Sequence, residues 1–131
     1  MKSAADTGCP CGSGKRYADC CAPLHEGGIA ATAEGLMRSR YSAYVLRRHP
    51  YVLATWHPST RPAGIEATAE DKATKWLGLS VKASRSNGDH GALVEFVARY
   101  KVGGGSATRL HEISRFVCED GRWYYLDGEI S

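Results

Sequence analysis

Residues 77–84 read LGLSVKAS and mark the point where the spacing of apolar residues along the chain changes. Apolar side chains occupy every second position of this stretch, and glycine, serine and lysine occupy most of the others. Because successive side chains of a β-strand point to opposite faces, this alternation predicts a strand with one buried face. Upstream of it, apolar residues recur every three to four positions, which is the helical period. The chain therefore divides at this point into helices followed by strands.

The longest helical pattern precedes the strand and covers residues 33–48, with Thr32 as the expected N-cap. Pro50 ends this helix and suits the first turn of a second, short one over residues 51–56. A third helix, with a thinner apolar stripe, is predicted over about residues 65–75. The apolar face of the first helix is formed by Ala33, Leu36, Met37, Tyr41, Tyr44 and Val45.

Three further strands are predicted after residue 84. Asn87-Gly88 and Asp120-Gly121 are typical of tight hairpin turns, and the glycine-rich residues 103–106 form another turn. Helices that are segregated from strands predict an α+β fold, in which the long helix packs on a curved four-stranded antiparallel sheet. The predicted strands cover residues 92–101, 108–118 and 122–127.

Length and composition limit the class of protein. The chain has 131 residues, an apolar fraction of 43% and a net charge of +3. This size suits one domain, placed at residues 29–131, and an N-terminal appendage at residues 1–25. The appendage is too small to fold without a bound metal ion or a covalent cross-link. No apolar run is long enough to span a bilayer or to form a signal sequence, so we expect a cytoplasmic protein without membrane contact. The net charge is smaller than that of proteins with a basic nucleic-acid-binding stripe. We therefore favour a protein partner over a nucleic acid.

Four of the five cysteines lie within thirteen residues, in the pattern C-x-C-x8-C-C. In a reducing compartment, such clusters indicate metal ligands before they indicate disulfides. Four thiolates suit a tetrahedral Zn²⁺ ion and leave no open coordination position, although iron accepts the same ligands. We therefore predict a closed, structural zinc knuckle. Its expected ligands are Cys9, Cys11, Cys20 and Cys21.

The surroundings of the cluster agree with this interpretation. Adjacent Cys20 and Cys21 need divergent side-chain directions, which makes nearby His25 the alternative fourth ligand, with Cys21 favoured. Glycines in the segment GSG at residues 12–14 let the backbone curl around a sulfur. Lys15 and Arg16 then form a basic rim, either as a solvated surface pair or as a contact for protein or ribosomal RNA.

The cysteine run also carries a resemblance. Residues 9–21, CPCGSGKRYADCC, resemble the SEC-C motif, the zinc-binding element of the SecA translocation ATPase and of many other bacterial proteins. The resemblance implies that Cys9, Cys11, Cys20 and Cys21 are the ligands. Through SecA, it also implies an association with a chaperone or with the ribosome.

Further segments of the chain resemble the YchJ family of bacterial proteins. Membership of that family implies a cone-shaped domain, similar to nuclear transport factor two, after the SEC-C knuckle. This agrees with the order of helices and strands predicted above. The segments are LMRSRYSAY (36–44), TWHP (55–58), WLGL (76–79), EFVARY (95–100), EISRF (112–116) and WYYLDG (123–128).

A second candidate site lies between helix and sheet. Arg40 projects from the core-facing arc of the long helix, and Glu112 alternates with apolar residues on the third strand. In one interpretation they form an ion pair that holds helix to sheet, because a buried unpaired charge is costly. In the other, Arg40, Glu112, Tyr125 and Asp127 line a ligand pocket, where His57 and Glu112 could support acid–base chemistry.

Two functional hypotheses follow. The first is a zinc-binding adaptor that contacts a macromolecule, a chaperone or the ribosome, through its knuckle. The alternative is a small-molecule binding protein or an enzyme that uses the cone pocket, with a purely structural knuckle. The sequence contains no nucleophile elbow and no nucleotide-binding glycine pattern to favour an enzyme. Cys118 lies among alternating apolar residues and is expected to be a small core residue.

Overall fold

The computed structural model describes residues 8–64 and 73–130, and in these ranges helices precede a four-stranded antiparallel sheet. The strands follow one another in the order β1-β2-β3-β4, so each pairs with its neighbour in the chain. The predicted α+β class is confirmed. The elements are α1 (Ala22–His25), α2 (Ala33–Val45), α3 (His49–Ala54), β1 (Thr74–Ser86), β2 (Gly91–Val102), β3 (Thr108–Glu119) and β4 (Arg122–Ile130).

Helix α2 begins where the sequence predicts it. The Thr32 hydroxyl accepts a hydrogen bond from the Gly35 amide at 3.0 Å, which satisfies one of the free N–H groups of the first turn. The helix ends at Val45, before the predicted residue 48, because Arg47 adopts a φ of 59° that no helix continues through. Helix α3 begins two residues earlier than predicted, with Pro50 in its first turn.

Two segments differ from the sequence prediction. Most of the predicted third helix falls on residues 65–72, which lie outside the described ranges. Its predicted end is wrong, because Thr74 and Lys75 pair with Val102 and Lys101 and extend β1. The short helix α1, which follows Cys21, was not predicted.

Helix α2 packs on the concave face of the sheet, and this contact forms the centre of the core. Leu36, Met37 and Tyr41 are buried on the helix side. The sheet contributes alternate residues of its central strands, as expected for strands with one covered face. These are Ala92, Val94, Phe96 and Ala98 of β2 and Phe116 of β3. Within the described ranges, no helix is long and apolar enough to cross a bilayer.

A bulge in the last hairpin changes which residues face the core. Arg115 pairs with Asp127, whereas the next residue, Phe116, pairs with Tyr125, so Leu126 is an extra residue on β4. An extra residue shifts the alternation of side chains by one position. Tyr125, between the turn and the bulge, lies on the concave face beside Phe116, as a regular hairpin places it, whereas the bulge puts Asp127 on the outer face beside Arg115.

Phe116 tests this packing, because its side chain is 2% exposed and contacts the Tyr125 ring. We expect Phe116→Ala to lower the free energy of unfolding by about 3–5 kcal/mol, through lost burial and an unfilled cavity. Ile130→Ala, at a position that is 69% exposed, is the control and should change it by less than about 0.5 kcal/mol. Urea denaturation followed by tryptophan fluorescence measures both; equal effects would contradict the described core.

Candidate metal centre and cone pocket

Four cysteine sulfurs converge at the N-terminal end of the described chain. The Sγ atoms of Cys9, Cys11, Cys20 and Cys21 all lie within 4.8 Å of one another. Cys20 Sγ is 3.6 Å from Cys11 Sγ and 3.9 Å from Cys21 Sγ. Four sulfurs around one tetrahedral Zn²⁺ ion, each at about 2.3 Å, would lie about 3.8 Å apart. The cluster is therefore positioned to bind a single metal ion, as the spacing of the cysteines predicts.

The first half of the knuckle is a tight loop. Cys9 N donates to Lys15 O at 2.8 Å, and Gly12 N donates to Cys9 O at 3.2 Å. Gly12 adopts a φ of 76°, in the left-handed region that favours glycine. A Cβ atom at position 12 would also lie 3.1 Å from the carbonyl oxygen of Leu79, so the loop packs closely on β1.

The sulfurs face helix α2. The fully buried hydroxyl of Ser42 lies 3.3 Å from Cys21 Sγ and 3.4 Å from Cys9 Sγ, where it can donate to a thiolate. Arg38 Nη1 donates to the carbonyl oxygen of Cys11 at 2.8 Å. Groups that hydrogen-bond to metal ligands orient them and tune their basicity. Helix α2 therefore supplies outer polar contacts of the cluster, and the Ser13 hydroxyl of the knuckle adds another, 3.1 Å from Cys20 Sγ.

His25, the alternative fourth ligand, uses both of its ring nitrogens elsewhere. Its Nε2 lies 2.8 Å from the carbonyl oxygen of Ser39 and donates to it. Its Nδ1 therefore accepts from the Tyr17 hydroxyl, at 2.6 Å. Burial lowers the pKa of His25, which favours this neutral form. His25 thus fastens the knuckle to α2, and Cys21 remains beside the other three sulfurs.

Crowding and burial move the pKa values of Cys11, Cys20 and Cys21 apart. A hydrogen bond from Cys21 lowers the pKa of Cys11 to about 4 and raises the pKa of Cys21. Burial raises the pKa of Cys20. A bound divalent cation replaces the protons of such thiols with direct metal–thiolate bonds.

A cavity of about 250 Å³ lies between α2 and the concave face of the sheet. Arg40, Glu112 and Tyr125 line it, so three of the five predicted pocket residues lie together. The other lining residues are Met37, Tyr41, Tyr44, Trp56, Trp76, Phe96, Ala98, Leu110, Ser114 and Phe116. Apolar walls with a few polar groups are typical of ligand-binding cavities.

Arg40 is 6% exposed but does not pair with Glu112. Its Nη1 donates to Val52 O at 2.8 Å and to Thr55 Oγ1 at 2.7 Å. Its Cζ atom lies 4.6 Å from the centre of the Tyr125 ring, a cation–π contact. Burial lowers the pKa of Arg40. The predicted ion pair is therefore wrong: within the described ranges, Arg40 is held by a carbonyl, a hydroxyl and aromatic rings.

Glu112 is held separately from Arg40 on the opposite wall. Its carboxylate accepts a hydrogen bond from the Ser114 hydroxyl. The carboxylate also lies over Gly128, where an added Cβ atom would come within 2.5 Å of Glu112 Oε2. Burial raises the pKa of the neighbouring Tyr125 to about 12, and the negative charge of Glu112 acts in the same direction.

His57 and Asp127 do not line this cavity, so these two pocket predictions are wrong. His57 Nε2 lies 2.9 Å from Glu119 Oε1, and its Nδ1 lies 2.7 Å from Ser59 Oγ. Trp56 forms a strand-like bridge with Tyr125 and lines the cavity, so the next side chain, that of His57, points away. Asp127 forms an ion pair with Arg115 on the outer face, because of the bulge at Leu126.

Sequence reasoning missed several residues of these sites, among them Ser42 and Trp56. Ser39 and Ser42 are three positions apart and therefore share one side of α2. Both are fully buried, which gives the helix a second covered face besides its apolar one. That spacing of small polar residues was a usable signal. No comparable sequence signal identifies Trp56, because its position in the cavity depends on pairing with Tyr125, 69 positions away in the chain.

A four-cysteine knuckle packed on the long helix of a cone-shaped α+β domain defines the class of protein: a SEC-C element joined to a domain similar to nuclear transport factor two. Residues 8–23 match the SEC-C motif, and residues 32–128 match the family described as YchJ, middle NTF2-like domain. The chain belongs to the YchJ family, whose curated relatives carry the name UPF0225.

Two relatives show how far the similarity extends. A UPF0225 protein of Bordetella pertussis is 56% identical over 126 residues, which cover 94% of this chain and 92% of the relative. A UPF0225 protein of Xanthomonas campestris is 57% identical over 119 residues, which cover 91% and 92% of the two chains. The family resemblance noted in the sequence is confirmed over nearly the whole chain.

Solved structures support the same fold. A SEC-C motif containing protein from Rhodopseudomonas palustris has a TM-score of 0.83 and 41% identity, covering 94% of this chain and 98% of its own. A putative Ca/calmodulin-dependent kinase II association domain from Exiguobacterium sibiricum has a TM-score of 0.56, with 10% identity, covering 79% of this chain and 96% of its own. At that identity, the second likeness concerns the fold alone.

Removal of single ligands tests the metal centre. We expect Cys9→Ser, Cys11→Ser, Cys20→Ser or Cys21→Ser each to abolish stoichiometric zinc binding, because a structural site needs all four ligands. Cys118→Ser and His25→Gln are the controls and should retain one ion per chain, measured by native mass spectrometry. Loss of zinc from His25→Gln together with its retention by Cys21→Ser would instead assign the fourth position to His25.

Ser42→Ala tests the outer contacts of the cluster. Losing a hydroxyl that contacts two ligand sulfurs should weaken zinc binding by about tenfold or more. Competition with a chromogenic chelator measures the affinity. Ser84→Ala, at an exposed position of β1, is the matched control. An unchanged affinity for Ser42→Ala would show that the hydroxyl does not act on the metal.

Proposed function

We propose that this protein is a zinc-binding adaptor module, in which the knuckle contacts a macromolecular partner, a chaperone or the ribosome. The arrangement of the knuckle carries the proposal. The sulfurs of Cys9 and Cys21 contact Ser42 of α2, and the side chains of Lys15 and Arg16 in the same knuckle are exposed. A closed metal site holds such a loop in one conformation, so the basic side chains are presented on a rigid support.

Zinc is the proposed ion, because a closed four-thiolate site has no position for a substrate and serves structure. Iron accepts the same ligand set. The two are distinguished by the metal content of the purified protein and by visible absorption, which an iron–thiolate centre has and a zinc–thiolate centre lacks.

Charge supports a polar contact through the exposed loop. Arg16 lies 3.0 Å from Asp19, and both side chains are 59% exposed, so this pair can exchange for contacts with a partner at little cost. Lys15 adds a second exposed cation. Two cations suit an acidic protein surface or a few backbone phosphates. They are too few for a site that binds nucleic acid through phosphate contacts alone.

The second candidate function is binding of a small molecule in the cone pocket. A specific observation favours it: Arg40 is almost completely buried and lines the cavity, but is not neutralised there by Glu112. In this alternative the knuckle is a structural cap.

The double variant Lys15→Ala/Arg16→Ala tests the adaptor proposal. We expect it to weaken binding of the zinc-loaded protein to purified ribosomes, or to SecB, the chaperone associated with the SEC-C motif of SecA, by about threefold to tenfold, because two surface charges are lost. Lys82→Ala/Arg85→Ala on exposed β1 is the matched control and should bind as the unaltered protein does. Sedimentation and biolayer interferometry measure the two affinities. Equal binding by both double variants, or no binding by the unaltered protein, would overturn the proposal.

A further inference from the structure

The cone pocket holds a positive and a negative side chain that do not neutralise each other. Arg40 is fixed by Val52 O and Thr55 Oγ1, and Glu112 is fixed by Ser114. Both line the same cavity. Arg40 is buried and Glu112 is half-buried, and opposite charges in such surroundings usually join, because each alone is costly to desolvate. Here their separate partners leave a space with a donor on one side and an acceptor on the other.

Part of the hydrogen-bonding capacity of these groups is unused. A guanidinium group has five N–H donors, and within the described ranges Arg40 uses only those of Nη1. A carboxylate accepts up to about four hydrogen bonds, and Ser114 supplies one to Glu112. A bound group can supply the missing partners.

The two charges also limit the charge of a ligand. An anion would be attracted to Arg40 but repelled by Glu112, and a cation would experience the reverse. A neutral compound that accepts from Arg40 and donates to Glu112 satisfies both groups without adding charge to a site of low dielectric constant.

The walls define the rest of the ligand. Tyr41, Trp76, Phe96 and Phe116 contribute aromatic rings to a cavity of about 250 Å³. Aromatic walls favour a planar ring, which packs by stacking and edge contacts. A cavity of this size is slightly smaller than typical sites for drug-sized ligands and suits a compound of one or two fused rings.

From these features we propose that the cone pocket binds a small, neutral heteroaromatic compound whose edge carries an N–H group beside a carbonyl group. The carbonyl accepts from the unused N–H groups of Arg40, and the N–H donates to Glu112. The inference rests on the second candidate function, since it specifies the ligand class of the pocket.

Four probes of similar size separate the class of ligand from the pocket itself. 2-Quinolone carries the N–H and the carbonyl, and N-methyl-2-quinolone carries the carbonyl alone. 2-Naphthoate is an anion, and naphthalene has neither polar group. Binding is followed through the indole N–H signals of the tryptophans in ¹⁵N-correlation spectra. Trp56 and Trp76 line the cavity, whereas Trp123 lies in a different groove and is an internal control.

We expect 2-quinolone to shift the indole signals of Trp56 and Trp76 and to leave that of Trp123 unchanged. It should bind at least about tenfold more tightly than N-methyl-2-quinolone, which cannot donate to a carboxylate. 2-Naphthoate should bind more weakly than 2-quinolone, because Glu112 repels it.

The variant Glu112→Gln keeps the shape of the side chain and removes its charge. It should weaken 2-quinolone binding and strengthen 2-naphthoate binding, each by at least about threefold. A variant that merely loosened the fold would weaken both. Glu129→Gln, at an exposed position of β4, removes the same charge outside the cavity and should change neither affinity.

The outcomes distinguish the ligand class from the pocket function. If naphthalene or 2-naphthoate binds as tightly as 2-quinolone, the proposed class is wrong although the cavity is a ligand site. The class is also wrong if Glu112→Gln neither weakens the binding of 2-quinolone nor strengthens the binding of 2-naphthoate. If none of the four probes shifts Trp56 or Trp76 at millimolar concentration, both the class and the pocket function are overturned.

Discussion

The contact between the Ser42 hydroxyl and the sulfurs of Cys9 and Cys21 is the interaction on which the rest of the structure depends. It joins a knuckle that cannot build its own core to the helix that covers the sheet. A metal ion would organise the knuckle, and its folding energy would reach the helix through this contact. Helix α2 is therefore buried from two sides: polar and small residues face the knuckle, and larger apolar ones face the sheet.

This double burial explains why the sequence of α2 looks only moderately amphipathic. Ser39 and Ser42 are fully buried polar residues, and each finds a partner: Ser39 Oγ bonds Leu36 O and lies 2.7 Å from the Tyr51 hydroxyl. Buried hydroxyls cost little when they are satisfied. The His25 bond to Ser39 O adds a further link between α1 and α2. The knuckle and the cone thus share these hydrogen bonds in addition to the apolar contacts of Cys9, Cys11, Tyr17 and Cys21 with the core.

The sequence predicts the features that depend on local periodicity and spacing. The change of period near residue 77 predicts the order of helices and strands, and the cysteine spacing predicts which sulfurs meet. Asp120 and Gly121 both adopt positive φ, as the predicted two-residue hairpin turn requires. The side of the sheet on which Asp127 lies was not predictable, since a single extra residue, Leu126, shifts the alternation.

His57 illustrates the other limit, because its partner Glu119 is 62 positions away. Sequence can place a histidine in a loop after a tryptophan and before a proline. Which carboxylate it meets depends on how that loop lies against β4, and the backbone bonds between Tyr125 and both Thr55 and His57 decide this. Those bonds leave no pattern in the side chains.

Arg40 and Glu112 were predictable as residues of one site, but not as separate groups within it. An ion pair would be the simplest way to place both between helix and sheet. Arg40 is instead drawn towards α3 by Val52 O and Thr55 Oγ1, and Glu112 towards β4 by the space above Gly128. A core selected for stability alone would join these charges or replace them with apolar side chains. Charges that are kept apart and individually anchored are the arrangement that a site for a third group requires.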